Sequence, residues 1–124
     1  MKDNLDESKP IFLQIKEQIE DSILNENLNA GERAPSTNEI ANYYKINPAT
    51  AAKGINELVS EQILYKRRGV GMFVAEDARE ILIEKRKKSF YESYMLPLKK
   101  EAEKLRIHKD HLIEMVQRED IDEN

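Results

Sequence analysis

The chain contains no cysteine, which excludes disulfides and thiolate zinc sites and suits a reducing compartment. No apolar run approaches the roughly 20 residues that a membrane-spanning helix needs. The N-terminal stretch MKDNLDESKP is acidic and polar, without the basic flank and hydrophobic core of a secretion signal. The expected location is therefore cytoplasmic, with no membrane partner. Aromatic residues make up only 6% of the chain while charged residues reach 35%, a balance that predicts surface-rich helices around a modest core. There is no low-complexity linker and no internal repeat. At 124 residues the chain has room for one small domain and an extension, and a deep, water-excluding active site would be hard to build in it.

Catalytic patterns are missing too. No serine, histidine and acid constellation stands out, and carboxylates are scattered over the whole chain, so the expectation is a protein that is not an enzyme and carries no cofactor. His108 and His111 stand three apart near Asp110 and Glu114, but without a third histidine or any cysteine they read as capping or exposed residues, and no metal is expected. A net charge of −4 argues mildly against nucleic acid as a partner, but its distribution matters more than its sum. Between Tyr44 and Val74, Lys45, Lys53, Lys66, Arg67 and Arg68 face only Glu57 and Glu61. The acids concentrate in the first 40 residues and after Asp110, which suits a protein presenting one face to an anion.

What is present is a series of helix and turn signals. Ile11, Ile15, Ile19 and Ile23 recur every four residues, predicting an amphipathic helix over 11–26 that begins behind Pro10. NLNAGERAPS reads as a loop, with Gly31 at a turn. Ser36 followed by Glu39 is a capping box that starts a short second helix ending near Tyr44. Asn47 as N-cap and Pro48 in the first turn start a third helix to about Glu61, with Ala51, Ile55, Leu58 and Val59 inward. Two helices across a short turn make a helix-turn-helix. ILYKR and MFVA around RGVG then predict a β-hairpin, and together these give a winged helix-turn-helix, mainly α with a small β-hairpin, over 1–75. From 76 to 124 the pattern is helical, with helices expected at 77–94, 97–106 and 108–118 and a break before Pro97.

The third helix is the candidate DNA reader. Its inward residues leave Pro48, Ala49, Thr50 and Lys53 outward at the N-terminal end, where a recognition helix meets base edges and phosphates. Thr50 can donate to a phosphate, Ala49 can touch a thymine methyl, and Lys53 can neutralise a phosphate or reach a guanine. In KRRGVGMFV, the strand-like MFV follows the two glycines where a nucleotide-binding fingerprint needs a helix, and its third glycine is missing. Gly69 and Gly71 read instead as the tip of a wing with Arg67 and Arg68 behind it, and Phe73 and Val74 as the strand that pins it. Strand alternation leaves open whether Arg67 shares the face used by Arg68. The run Glu84 to Lys88 reads as a solvated helix surface stabilised by pairs four residues apart.

Taken together, residues 10–75 resemble the N-terminal domain of GntR-family bacterial transcription regulators. The resemblance rests on the proline-serine start of the second helix, the NPxT start of the third and the RGxGxFV wing. Asn47-Pro48 and the short tail resemble the YtrA-like subfamily, whose members are dimeric repressors often associated with ABC transporter operons. The resemblance implies that Ser36, Thr50, Lys53, Arg68, Gly69 and Gly71 contact DNA and that Asn47 and Pro48 shape the helix start. Thr37 and Asn38, beside Ser36, belong to the same expected interface. Several positions depart from the family pattern. Ala34 replaces a usual leucine, and Asn38 replaces a usual arginine, removing a charge. Gln62 stands for a usual glycine, where a left-handed conformation would cost roughly 1 kcal/mol. Gly54 stands for a usual alanine inside the third helix, at about 1 kcal/mol.

The leading expectation is a homodimeric repressor bound to a double-stranded, pseudo-palindromic DNA operator. The alternative is a winged-helix module that binds protein without specific DNA binding, motivated by the net acidity and by Asn38. Ile81, Leu82, Phe90, Tyr94, Leu98, Leu105, Leu112, Ile113 and Val116 exceed what so small a tail can bury alone and are the expected dimerisation surface. A small-molecule effector, if there is one, would sit between subunits or between tail and DNA-binding domain, and its identity is not encoded legibly.

Overall fold

The computed structural model describes residues 5–119, ordered as α1 (Ile11–Leu24), α2 (Thr37–Tyr44), α3 (Pro48–Ser60), β1 (Leu64–Arg67), β2 (Gly71–Val74), α4 (Ala78–Phe90), a π-helical turn (Tyr91–Met95), α5 (Leu96–Lys104) and α6 (Lys109–Gln117). This is a winged helix-turn-helix followed by a helical tail, as the sequence predicts. Compactness divides the chain into one unit up to Lys85 and a second from Arg86.

In the first unit the four-residue spacing on α1 turns Ile15, Ile19 and Ile23 inward against Ile40 of α2, Ile55 and Leu58 of α3, and Ile63, Leu64 and Val74 of the hairpin. The capping box forms as expected: the Glu39 N–H donates to Ser36 Oγ at 3.0 Å, and the Ser36 N–H donates to Glu39 Oε1 at 2.8 Å. Lys45, in left-handed backbone at φ 58°, ends α2, and the Asn47 side chain accepts the Ala49 N–H at 2.8 Å to start α3. Gly54 is not the liability that helix propensity implies. A Cβ there would lie 2.7 Å from the Phe12 carbonyl oxygen of α1, so the missing side chain is what lets α1 and α3 cross this closely.

The hairpin pairs Leu64 with Val74, Tyr65 with Phe73, Lys66 with Met72 and Arg67 with Gly71. At its tip the Val70 N–H donates to the Arg67 carbonyl at 2.9 Å, and Gly69 takes φ 77°, the sign that the third residue of a type II turn needs. Residues 31–34, expected to be loop, run alongside β2. The Gly31 N–H donates to Val74 O at 2.8 Å, the Val74 N–H to Glu32 O at 2.9 Å and the Ala34 N–H to Met72 O at 2.8 Å, and Arg33 bridges Phe73.

The compact unit continues past the boundary expected after Ala75, because Ala78 and Leu82 of α4 complete its core. This corrects one expected dimer contact: Leu82 is fully buried among the first unit's own residues, and Ile81 packs beside it. The expected break before Pro97 is also absent. The helix widens instead, the Leu96 N–H donating five residues back to Tyr91 O, and Pro97 falls in the first turn of α5, where its missing N–H is not needed. In the second unit Ala102 is the only buried apolar residue among those described.

Candidate nucleic-acid interface

The outward end of α3 carries Asn47, Pro48 and Ala49 exposed and Thr50 half-buried, on a helix anchored by buried Ala51, Ile55 and Leu58. Its first backbone N–H groups and the helix dipole make this end favourable for an anion. Lys53 is exposed but not unattached: its Nζ lies 4.0 Å from the centre of the Phe12 ring on α1. A surface cation–π contact of this kind contributes about 0.5–1 kcal/mol, little enough for a phosphate to displace.

At the start of α2, Thr37 is half-buried and Asn38 exposed, while Ser36 is occupied as the N-cap. The backbone N–H of Ser36, then its hydroxyl, hold the Glu39 carboxyl below the ordinary carboxylate range, and Arg33 adds to the effect. In the wing, Arg68, Gly69 and Val70 form the exposed tip. Pairing fixes the face of Arg67 within β1, while Arg68 lies in the turn beyond the strand. The Arg67 guanidinium carbon lies 4.8 Å from the Phe73 ring centre, and Tyr65 stacks on the same ring at 6.0 Å, so Arg67 occupies the face of Tyr65 and Phe73. Lys66 alternates to the opposite side.

Two residues escaped the sequence reading. Arg33 shares the Phe73 face through its bridge to that residue. A Cβ on Gly71 would meet Arg33 Nε at 3.0 Å, and Arg33 Nη1 reaches Glu39 Oε1 at 3.5 Å. No period could have marked a bridge this short. Lys85, read as part of a solvated run, instead pairs with Glu20 at 2.8 Å and Glu61 at 3.0 Å. Lys16 joins the same network, bonding Glu61 and, at 3.2 Å, Glu57. Burial alone would raise the Glu61 carboxyl and lower the Lys16 ammonium. The hydrogen bonds from Lys16 and Lys85 outweigh burial at Glu61 and hold its carboxyl down, while those to Glu61 and Glu57 hold the Lys16 ammonium up. The network ties the C-terminal end of α3 to α1 and α4 while leaving the N-terminal end exposed.

Elsewhere, His108 is the N-cap of α6 without a side-chain cap bond, and His111 approaches Glu114 at 4.0 Å. Among the described residues no group of three His, Cys, Asp or Glu could hold a metal, and no helix is long and apolar enough to cross a membrane.

Known proteins share this fold. Residues 12–74 match the family described as bacterial regulatory proteins, gntR family. The uncharacterized HTH-type transcriptional regulator YhcF of Bacillus subtilis is 31% identical over 92% of this chain and 93% of its own length. The HTH-type transcriptional repressor YtrA of the same organism is 35% identical over 62% of this chain and 59% of its own. Among solved structures, a GntR family transcriptional regulator from Listeria monocytogenes superposes with a TM-score of 0.76 at 31% identity, covering 94% of this chain and all of that one. The AraR DNA-binding domain in complex with operator ORX1 superposes with a TM-score of 0.52 at 32% identity, over 60% of this chain and 92% of that one.

Proposed function

This chain belongs to the gntR family of bacterial regulatory proteins, transcriptional regulators rather than enzymes, and from that premise we propose that it is a homodimeric repressor binding a pseudo-palindromic operator. The observation that carries the reading is the pairing of an exposed α3 N-terminus, with Pro48, Ala49, Thr50 and Lys53, with a wing whose tip presents Arg68 and Gly69. In this reading α3 lies in the major groove, with Ala49 and Thr50 at base edges and phosphates and Lys53 exchanging Phe12 for a phosphate. Ser36, Thr37 and Asn38 at the start of α2 approach the backbone, Asn47 and Pro48 fix the start of α3, and the wing of Arg67, Arg68, Gly69 and Gly71 follows the minor groove. The operator-bound AraR domain supports duplex DNA as the partner.

The second unit supplies the dimer in this proposal. Tyr94 (64% exposed), Leu105 (59%) and Val116 (80%), with exposed Phe90, Leu98 and Ile113 and half-buried Leu112, give the second unit more exposed apolar side chain than one small unit is expected to leave in water. Two α3 helices would then enter successive major grooves about one helical turn, roughly 34 Å, apart. Titration of the protein against the duplex upstream of its own gene and against a random duplex, with sedimentation of the free protein, tests both parts. The expected result is a dimer at micromolar concentration that prefers the upstream duplex and weakens steeply with salt. A monomer would remove the dimer, and equal binding to both duplexes would remove the operator.

A further inference from the structure

Resting on the DNA-binding reading above, we propose that Arg33 is a further DNA-backbone contact, whose guanidinium exchanges the Glu39 carboxylate for a phosphate oxygen at the first turn of α2. Three observations lead here. The backbone of Arg33 is fixed by hydrogen bonds on either side, Val74 N–H to Glu32 O and Ala34 N–H to Met72 O, so this cation sits on a segment bridged to β2, not on a free loop. Its side chain runs over Gly71, with Nε 3.0 Å from where a Cβ would stand, so the glycine keeps open the path along the base of the wing. Its guanidinium ends 3.5 Å from Glu39, in the turn where Asn38 carries no charge.

The resting pair is suited to exchange. Both side chains are about half exposed or more, at 48% and 60%, and a pair of that exposure is weak in water. Glu39 keeps the Ser36 N–H when Arg33 leaves, so the capping box survives the exchange. A planar guanidinium takes a phosphate through charge-assisted and often bidentate hydrogen bonds, stronger than the solvated contact it replaces. Arg33 and Arg67 lie on the same face of the small sheet, one on each side of Phe73, and can follow one strand of the backbone between α2 and the wing tip.

The test is fluorescence anisotropy with the duplex upstream of the protein's own gene at several KCl concentrations, using the full chain. Arg33→Ala should weaken binding roughly 5- to 20-fold near 0.1 M salt and flatten the plot of log K against log salt by about one unit. Arg33→Lys should keep the slope and recover part of the affinity. Glu39→Gln, which retains an acceptor for the Ser36 N–H, should tighten binding, and that gain should vanish when Arg33→Ala is added. Thermal unfolding of each variant separates a lost contact from a lost fold. Arg33→Ala binding with wild-type affinity and slope, while Arg68→Ala weakens binding, overturns this proposal alone. Wild-type protein that binds no duplex overturns the DNA-binding reading and this proposal with it.

Discussion

Leu58 on α3 and Leu98 on α5 are the same side chain on two helices, yet Leu58 is fully buried and Leu98 is 46% exposed. The contrast holds for the units around them. The first assembles isoleucines, leucines and a valine from α1, α2, α3, the hairpin and α4 into one core, while in the second Ala102 alone is buried among the described residues. One unit buries its apolar residues within its own chain, and the other leaves most of its own exposed, the surface that the proposed dimer would cover. The same substitution at both leucines should therefore have different consequences. Leu58→Ala should cost about 3 kcal/mol and lower the urea midpoint of the isolated protein at any concentration. Leu98→Ala should leave that transition in place and shift dimer dissociation by about 1–2 kcal/mol, visible only as a concentration dependence. Equal effects at the two sites would erase the contrast.

Gly54→Ala is the next largest effect and tests how closely the first unit is built. Helix propensity favours alanine by about 1 kcal/mol. A Cβ 2.7 Å from a backbone carbonyl cannot be absorbed by a rotamer change, so α1 and α3 would have to separate. The expected net result is a loss of about 2 kcal/mol in chemical denaturation. A gain would mean that the crossing can relax.

How much of this was legible follows from how local each signal is. Ser36 with Glu39 and Asn47 with Pro48 announce helix starts within a few residues, and those starts stand where the sequence places them. The wing was legible because Gly69 and Gly71 interrupt two runs of branched and aromatic residues. Arg33 was not, since a segment of four residues on the edge of β2 has no period to read. Gly54 looked unfavourable because its justification, the Phe12 carbonyl, lies on another helix. Leu82 looked like tail for the same reason: only the folded core shows which unit a helix straddling both belongs to at each turn. Lys85 sits in a run of charges whose partners, Glu20 and Glu61, are far away in sequence.

That ion network gives the first unit a pH dependence of its own. Glu61 is held below its ordinary value, so its contribution is present above the unfolded carboxylate pKa of about 4.3 and is lost as pH falls through the lower folded value. Lys16 is held above its ordinary value, so its contribution is complete below about 10.4 and fades as pH rises through the folded value. Partial exposure of Glu61 screens the pair, leaving an effect of order 1 kcal/mol. Denaturation midpoints measured from pH 7 to pH 3 should fall less steeply in Lys16→Met than in wild type. Parallel slopes would remove the network from the account of stability.

The smallest effect compares one structural device in both units. After α3, the Ile63 N–H donates to Leu58 O at 2.9 Å and the Gln62 N–H to Val59 O at 3.0 Å, with Gln62 at φ 66°. After α5, the Ile107 N–H donates to Ala102 O at 2.9 Å and the Arg106 N–H to Glu103 O at 3.2 Å, with Arg106 at φ 58°. Both are Schellman endings in which the left-handed position, usually glycine, is held by a residue with a Cβ. Glycine would remove the steric cost of about 1 kcal/mol while adding some unfolded-state entropy, for a net gain of about 0.5–1 kcal/mol. Gln62→Gly should raise the urea midpoint of the first unit at every protein concentration. Arg106→Gly should strengthen only the transition that depends on the second unit and on protein concentration. If Arg106→Gly shifts both transitions alike, the two units unfold as one, and the division drawn between Leu58 and Leu98 is structural but not thermodynamic.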